Sequence, residues 1–181
     1  MKYGSSLYTL LSAIPLLLAS STAHASDNSI APIGMFAGVC LDLLDKPDTF
    51  AEVMSNRADR VQGAEASEFL GHKPGKAWYV SHEGVPYGFS WADDGTCRTT
   101  IFSGDSKGLA KEFGDLGRMA PAGYTSKAEL TSIDERGWTV HTYTWHGDGE
   151  DRAIQMRLSL NPEPGTGLRG NASARYVAAP R

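Results

Sequence analysis

Apolar residues recur at intervals of three and four in the early part of the chain and at intervals of two later on, which separates helices from strands. From Met35, the positions Phe36, Val39, Cys40, Leu43 and Leu44 share one helical face, and Asp45-Lys46-Pro47 interrupts it. A second helix takes Pro47 in its first turn, carries Asp48 and Glu52 early with Phe50, Val53 and Met54 on one side, and fades after Arg57. Residues 60–75 hold Gly63, Gly71, Pro74 and Gly75 around a short Glu68-Phe69-Leu70 piece, a pattern that predicts a connecting loop with at most one helical turn.

Three strands are then predicted, Ala77 to His82, Val85 to Trp91 and Cys97 to Ser103, with turns at Glu83-Gly84 and Asp93-Asp94-Gly95. In the middle one, Val85, Tyr87, Phe89 and Trp91 lie on one face, and the small set Pro86, Gly88 and Ser90 lies on the other, open to close approach by a helix or a ligand. Asp105-Ser106 starts a third helix through Leu109, Phe113 and Leu116, ending near Gly117. A second strand set follows at Ser126 to Ile133, Trp138 to His146 and Arg152 to Leu160, then a polar tail and a short edge strand at Ser173 to Val177. Helices and strands in separate runs predict an α+β fold: an antiparallel sheet of two meanders, about six strands, covered on one face by about three helices.

The first residues change the picture of where this fold works. Lys2, the mostly apolar run from Leu7 to Ala19 and the closing Ala23-His24-Ala25 make residues 1–25 a cleavable export signal. The run is also short of the about 20 apolar residues that span a bilayer. Residues 26–181 are then one soluble α+β domain with a polar C-terminal tail, working in the periplasm or outside the cell. The chain has a formal net charge of −4, and losing Lys2 with the leader makes it more acidic. That balance argues against nucleic acid or an anionic membrane as main partner. Both of the chain's 2 cysteines lie beyond the leader, so in an oxidising compartment Cys40 and Cys97 are expected to bond, pinning the first helix to the third strand.

Phe36-x-x-x-Cys40-Leu41, Phe69-Leu70-Gly71, Gly75-x-Ala77-Trp78 and Asp94-Gly95-x-Cys97 resemble a group of small exported bacterial envelope proteins with two cysteines. The likeness covers about residues 34 to 113, and its residues are structural types rather than a chemical site. It implies an envelope location and a helix-to-strand disulfide, and it brings no activity with it.

Candidate chemistry is sparse. His141 and His146 are five apart on one predicted strand, which puts them on opposite faces and does not favour a shared metal. Gly147-Asp148-Gly149-Glu150-Asp151 gathers three acids in a tight turn without the longer spacing of a calcium loop. No G-x-S-x-G elbow occurs, and the tail glycines Gly165-x-Gly167 have no helix signal behind them to make a phosphate loop, so no catalytic residue, metal or cofactor is assigned. Two aromatic stripes, one with Tyr87, Phe89 and Trp91 and one with His141, Tyr143 and Trp145, are core if both face inward; either one facing solvent would mark a partner surface.

The expected function is a non-enzymatic envelope protein that binds another protein as inhibitor, immunity factor or assembly accessory. Its expected contact surface draws on Tyr87, Trp91, Tyr143, Trp145, Asp148 and Glu150. The alternatives are a small exported hydrolase using His82, His141 or His146 with Asp148 or Glu150, and a small-ligand carrier using the face opened by Gly88 and Ser90. Neither stable membrane insertion nor a nucleic-acid partner is expected.

Overall fold

A computed structural model describes residues 30–149, 151–163 and 167–179. The leader assigned to residues 1–25 lies outside them, as does Glu150 of the acidic turn. The order is α1 (Ile30–Phe36), a π-helical turn (Ala37–Leu41), α2 (Pro47–Arg57), β1 (Asp59–Val61), α3 (Gly63–Leu70), β2 (Gly75–His82), β3 (Val85–Ala92) and β4 (Cys97–Ile101). Then come α4 (Ser106–Arg118), β5 (Tyr124–Ile133), β6 (Thr139–Gly147), β7 (Arg152–Leu160) and β8 (Gly170–Ala178).

The mixed helical and antiparallel character stands as expected, with more elements than the pattern showed. All strands join one 8-stranded sheet in the order β1-β2-β3-β4-β8-β7-β6-β5. The segment expected as a short edge strand is therefore its middle: β8 pairs antiparallel with β4 on one side and β7 on the other, stitching the two meanders together. The expected loop at residues 60–75 contains β1 and the two-turn helix α3, which ends in a left-handed cap at Gly71 with φ 63°.

Strand alternation gives the sheet two faces of different character. On one, Trp78, Tyr87, Phe89, Cys97, Ile101, Ala172, Ala174, Ile154, Met156, Leu158, Tyr143 and Trp145 are buried under α1, α2 and α4, against Ile33, Phe36, Phe50, Leu109 and Phe113. Ring contacts order the aromatics: Phe50 meets Trp78 edge-on at 5.5 Å and the tilted ring of Trp91 at 5.0 Å, and Phe113 meets Tyr143 edge-on at 5.8 Å. Helix α4 can approach this closely because position 117 has no side chain, since a Cβ there would lie 2.2 Å from Cγ of Tyr143. The helix starts as its sequence predicts, with the Asp105 carboxylate accepting from the Gly108 N–H at 2.7 Å.

Helices cover both faces rather than one, because α3 lies on the opposite side with Phe69, Leu70, Ala77 and Ala92 in a second small core. Here the small residues of β3 find their use. The Phe69 ring lies where a Cβ on Gly88 would come within 2.6 Å of it, and the buried Ser90 hydroxyl donates to the Phe69 carbonyl at 2.7 Å. The space expected for a ligand beside Gly88 and Ser90 is filled by the protein's own helix. On the main helix side, Cys40 in the π turn and Cys97 on β4 form the disulfide, both fully buried with Cα atoms 5.4 Å apart.

Candidate functional site

Beyond α3, the face opposite the main core is open and polar, and strand alternation decides what stands on it. Arg98 sits between Cys97 and Thr99, Arg157 between Met156 and Leu158, and Arg175 next to Ala174; each has a core neighbour, so the arginine must point the other way. Arg98 on β4 is paired in register with Ser173 on β8, and Ser173 with Arg157 on β7. The two arginines thus flank Ser173 across two strand spacings, about 10 Å between backbones. Two residues along the strands, Thr100, Asn171 and Ser159 form the next row.

A third guanidinium comes from the β5–β6 hairpin. Asp134 accepts from Arg136 Nε at 3.2 Å and Nη2 at 2.8 Å, and from the backbone N–H groups of Arg136 and Trp138 at 2.9 and 3.0 Å. The Arg136 guanidinium also stacks 4.1 Å from the centre of the Trp138 ring. Burial acts to raise the Asp134 pKa, but these donors outweigh it and hold the carboxyl below its ordinary range. At the other end Lys73 bonds Asp94 at 2.6 Å, and chiefly this bond keeps the Asp94 carboxyl at about 2. Arg175 donates to Gln155 at 3.2 Å.

Two adjoining clefts result. One of about 220 Å³ is lined by Arg98, Asp134, Arg136, Arg157, Ser159, Asn171 and Ser173, and one of about 80 Å³ shares Arg98, Arg157 and Ser173 with it and reaches Lys73 and Arg175. Among the described residues neither Arg98 nor Arg157 has a hydrogen-bond or ion-pair partner. The Arg98 guanidinium lies against the backbone of Gly71, where a Cβ would come within 2.3 Å of it. Burial first, and then the positive charges of Arg136 and Arg157, lower its pKa, although a guanidinium stays charged at any physiological pH.

No family model, curated protein or solved structure matches this chain.

The residues expected to form the contact surface are placed elsewhere. Tyr87, Tyr143 and Trp145 are 1%, 2% and 5% exposed, because both aromatic stripes lie under the helices, so none of the three forms an open patch. Trp91 is half-buried beside Phe50. Trp145 donates from Nε1 to the Gly117 carbonyl at 2.7 Å and also lines a cleft of about 320 Å³ between the π turn, the end of α4 and β6 to β8. Asp148 is exposed in the turn after β6.

The histidines do not converge. His82 stands at the β2–β3 hairpin, whereas His141 pairs in register with the core residue Leu158 and His146 with Ala153, on opposite faces. Burial, aided by Lys127, lowers the His146 pKa, and His141 Nδ1 is bonded to the Thr131 hydroxyl at 3.3 Å. Among the described residues no group of three or more His, Cys, Asp or Glu side chains could hold a metal. A depression of about 390 Å³ beside α2 and β1 carries Arg57 and Asp59 but no convergent set of like charges.

Sequence reading missed the arginine face because net charge averages over the chain. The signal was present in three strands as an arginine with apolar or small neighbours, Cys97-Arg98-Thr99, Met156-Arg157-Leu158 and Ala174-Arg175-Tyr176.

Proposed function

We propose that this is a non-enzymatic binding protein of the bacterial cell envelope, periplasmic or secreted, that docks an acidic surface of a partner protein on its arginine-bearing sheet face. Inhibitor, immunity factor and assembly accessory are all forms of that role. The observation that carries the reading is the segregation of charge. Lys73, Arg98, Arg136, Arg157 and Arg175 gather at the two clefts, where among the described residues Asp134 is the one lining carboxylate and Asp94 bonds Lys73 beside them, in a chain whose formal net charge is −4. Such a face steers an oppositely charged partner and fixes its register more than it adds raw affinity.

Two further observations support the reading. The arginines stand on a sheet tied by the disulfide to the N-terminal helical segment, so they are presented on a rigid frame. A closed disulfide also suits an oxidising compartment, as the A-x-A leader and the envelope-protein resemblance do. Among the described residues no helix is long and apolar enough to cross a membrane.

The test places a photo-crosslinking residue at Ser173 of the exported protein in living cells. A discrete adduct is expected, mapped to an acidic segment of the partner, weakened by salt and lost in Arg157→Glu. A matching probe at the exposed Glu52 on α2 should give none. No adduct from Ser173, or the same adducts from both positions, would overturn the reading.

A further inference from the structure

We propose that the cleft between Arg98, Arg157 and Arg136 is a binding site for a doubly charged oxyanion of the phosphate class. This goes beyond the docking role and rests on the cleft's own chemistry, so either can fail without the other.

Among the described residues Asp134 is the one carboxylate lining the larger cleft, and its oxygens are taken up by Arg136 and two backbone N–H groups. Arg98 and Arg157 are left as two positive charges with no described carboxylate bonded to either, and the Asp94 charge, paired with Lys73, acts on Arg98 only from a distance. They are close enough for Arg157 to depress the pKa of Arg98, so the folded protein carries an electrostatic repulsion at this point. An anion of charge −2 seated between them turns that repulsion into two attractions. A singly charged carboxylate would leave one guanidinium uncompensated.

Guanidinium forks match the edges of a phosphate and bind it through paired N–H groups. Between the two forks stands the Ser173 hydroxyl, and one row along stand those of Ser159 and the Asn171 amide. Asn171 accepts from the Thr100 hydroxyl at 3.1 Å through its oxygen, which turns its NH₂ group away from that bond as an uncommitted donor. Every residue lining this cleft is polar, so it offers nothing to an apolar body and suits a compact, strongly hydrated anion.

Arg136 is held by Asp134 and by stacking on Trp138, and Arg98 rests against the Gly71 backbone at the end of α3. A side chain at position 71 would occupy the space that the Arg98 guanidinium fills. Two of the three cations are therefore positioned before any ligand arrives, which lowers the ordering cost of binding.

The test is calorimetric titration of the purified protein with inorganic phosphate at constant ionic strength, with chloride and acetate as comparisons and glucose 1-phosphate as a second arm. Saturable binding with one phosphate per chain is expected. Arg157→Gln should weaken it about tenfold or more without lowering the melting temperature in the absence of phosphate, since Arg157 is exposed and unpaired and its loss relieves the repulsion on Arg98. Lys107→Gln, on the exposed side of α4, should leave binding unchanged. Tighter binding of the sugar phosphate would assign the phosphoryl group to a larger molecule, and tighter binding of inorganic phosphate would assign the free ion; both support the site. No saturable response, an equal response to acetate or chloride, or full binding by Arg157→Gln would overturn it. Because no partner protein is present, failure here leaves the crosslinking result standing, and the reverse holds.

Discussion

Reducing the Cys40–Cys97 bond removes a constraint on the unfolded chain while leaving most native contacts in place, so its effect can be worked out. The two residues are 57 apart in sequence, and the chain-entropy relation for a loop of that length gives about 4 kcal/mol of stabilisation. Domains of this size are stable by about 5–15 kcal/mol, so reduction should take away a large share of the total. The assay is urea unfolding of the oxidised protein, of the same protein in reductant, and of Cys40→Ala/Cys97→Ala. Alanine is preferred to serine because both sites are fully buried and a hydroxyl would need a partner there. The reduced protein should unfold at lower urea with a steeper dependence on denaturant, since an uncrosslinked unfolded chain exposes more surface. The double variant should be weaker still, by the cost of the space two sulfurs leave. Stabilities of the oxidised and reduced proteins within about 1 kcal/mol of each other would refute the reasoning, because the relation behind the estimate allows no such small value for this loop.

Three further outcomes follow from contacts described above. Gly117→Ala should destabilise by about 1–3 kcal/mol in thermal or urea unfolding, despite the usual preference of helices for alanine, because its Cβ would overlap the Tyr143 ring. Gly88→Ala should cost a similar ~1–3 kcal/mol, and most of that cost should vanish in a Phe69→Ala background, a coupling that a double-mutant cycle measures directly. The folded Asp94 carboxyl titrates at about 2 against an ordinary 3.8, so its contribution is fully present above pH 3.8 and is lost as pH falls through about 2. Because this pair is partly exposed, the contribution should stay below about 1 kcal/mol, and stability curves of the wild type and Asp94→Asn should converge at the acid end.

Much of the sheet was legible because its strands alternate cleanly. The expected span Arg152 to Leu160 is the observed β7, while β3 runs one residue beyond expectation and β6 is shifted by one residue at both ends. The misses share a physical cause, which is that tertiary partners supplied what local pattern lacked. Helix α3 is bracketed by Gly63 and Gly71 and reads as a loop, yet Phe69 and Leu70 hold it in place by filling the face that Gly88 and Ser90 leave open. Strand β8 alternates Ala172 and Ala174 with Ser173 and Arg175, a weak signal for a central strand, and it lies in the middle because β4 and β7 each present an edge to it. The aromatic stripes were visible in sequence but their orientation was not, since which side of a sheet is covered depends on where α2 and α4 pack. The arginine row was invisible for a related reason, as it becomes one site only when β4 is set beside the much later pair β7 and β8.

The position of β8 also governs when the sheet can be completed. Until Gly170–Ala178 is available, β4 and β7 each carry a full row of unpaired backbone groups, and the two meanders have no hydrogen bonds to join them. The keystone of the sheet is therefore the last strand of the described residues, and a chain interrupted before it would hold two sticky edges where the ladder now runs unbroken.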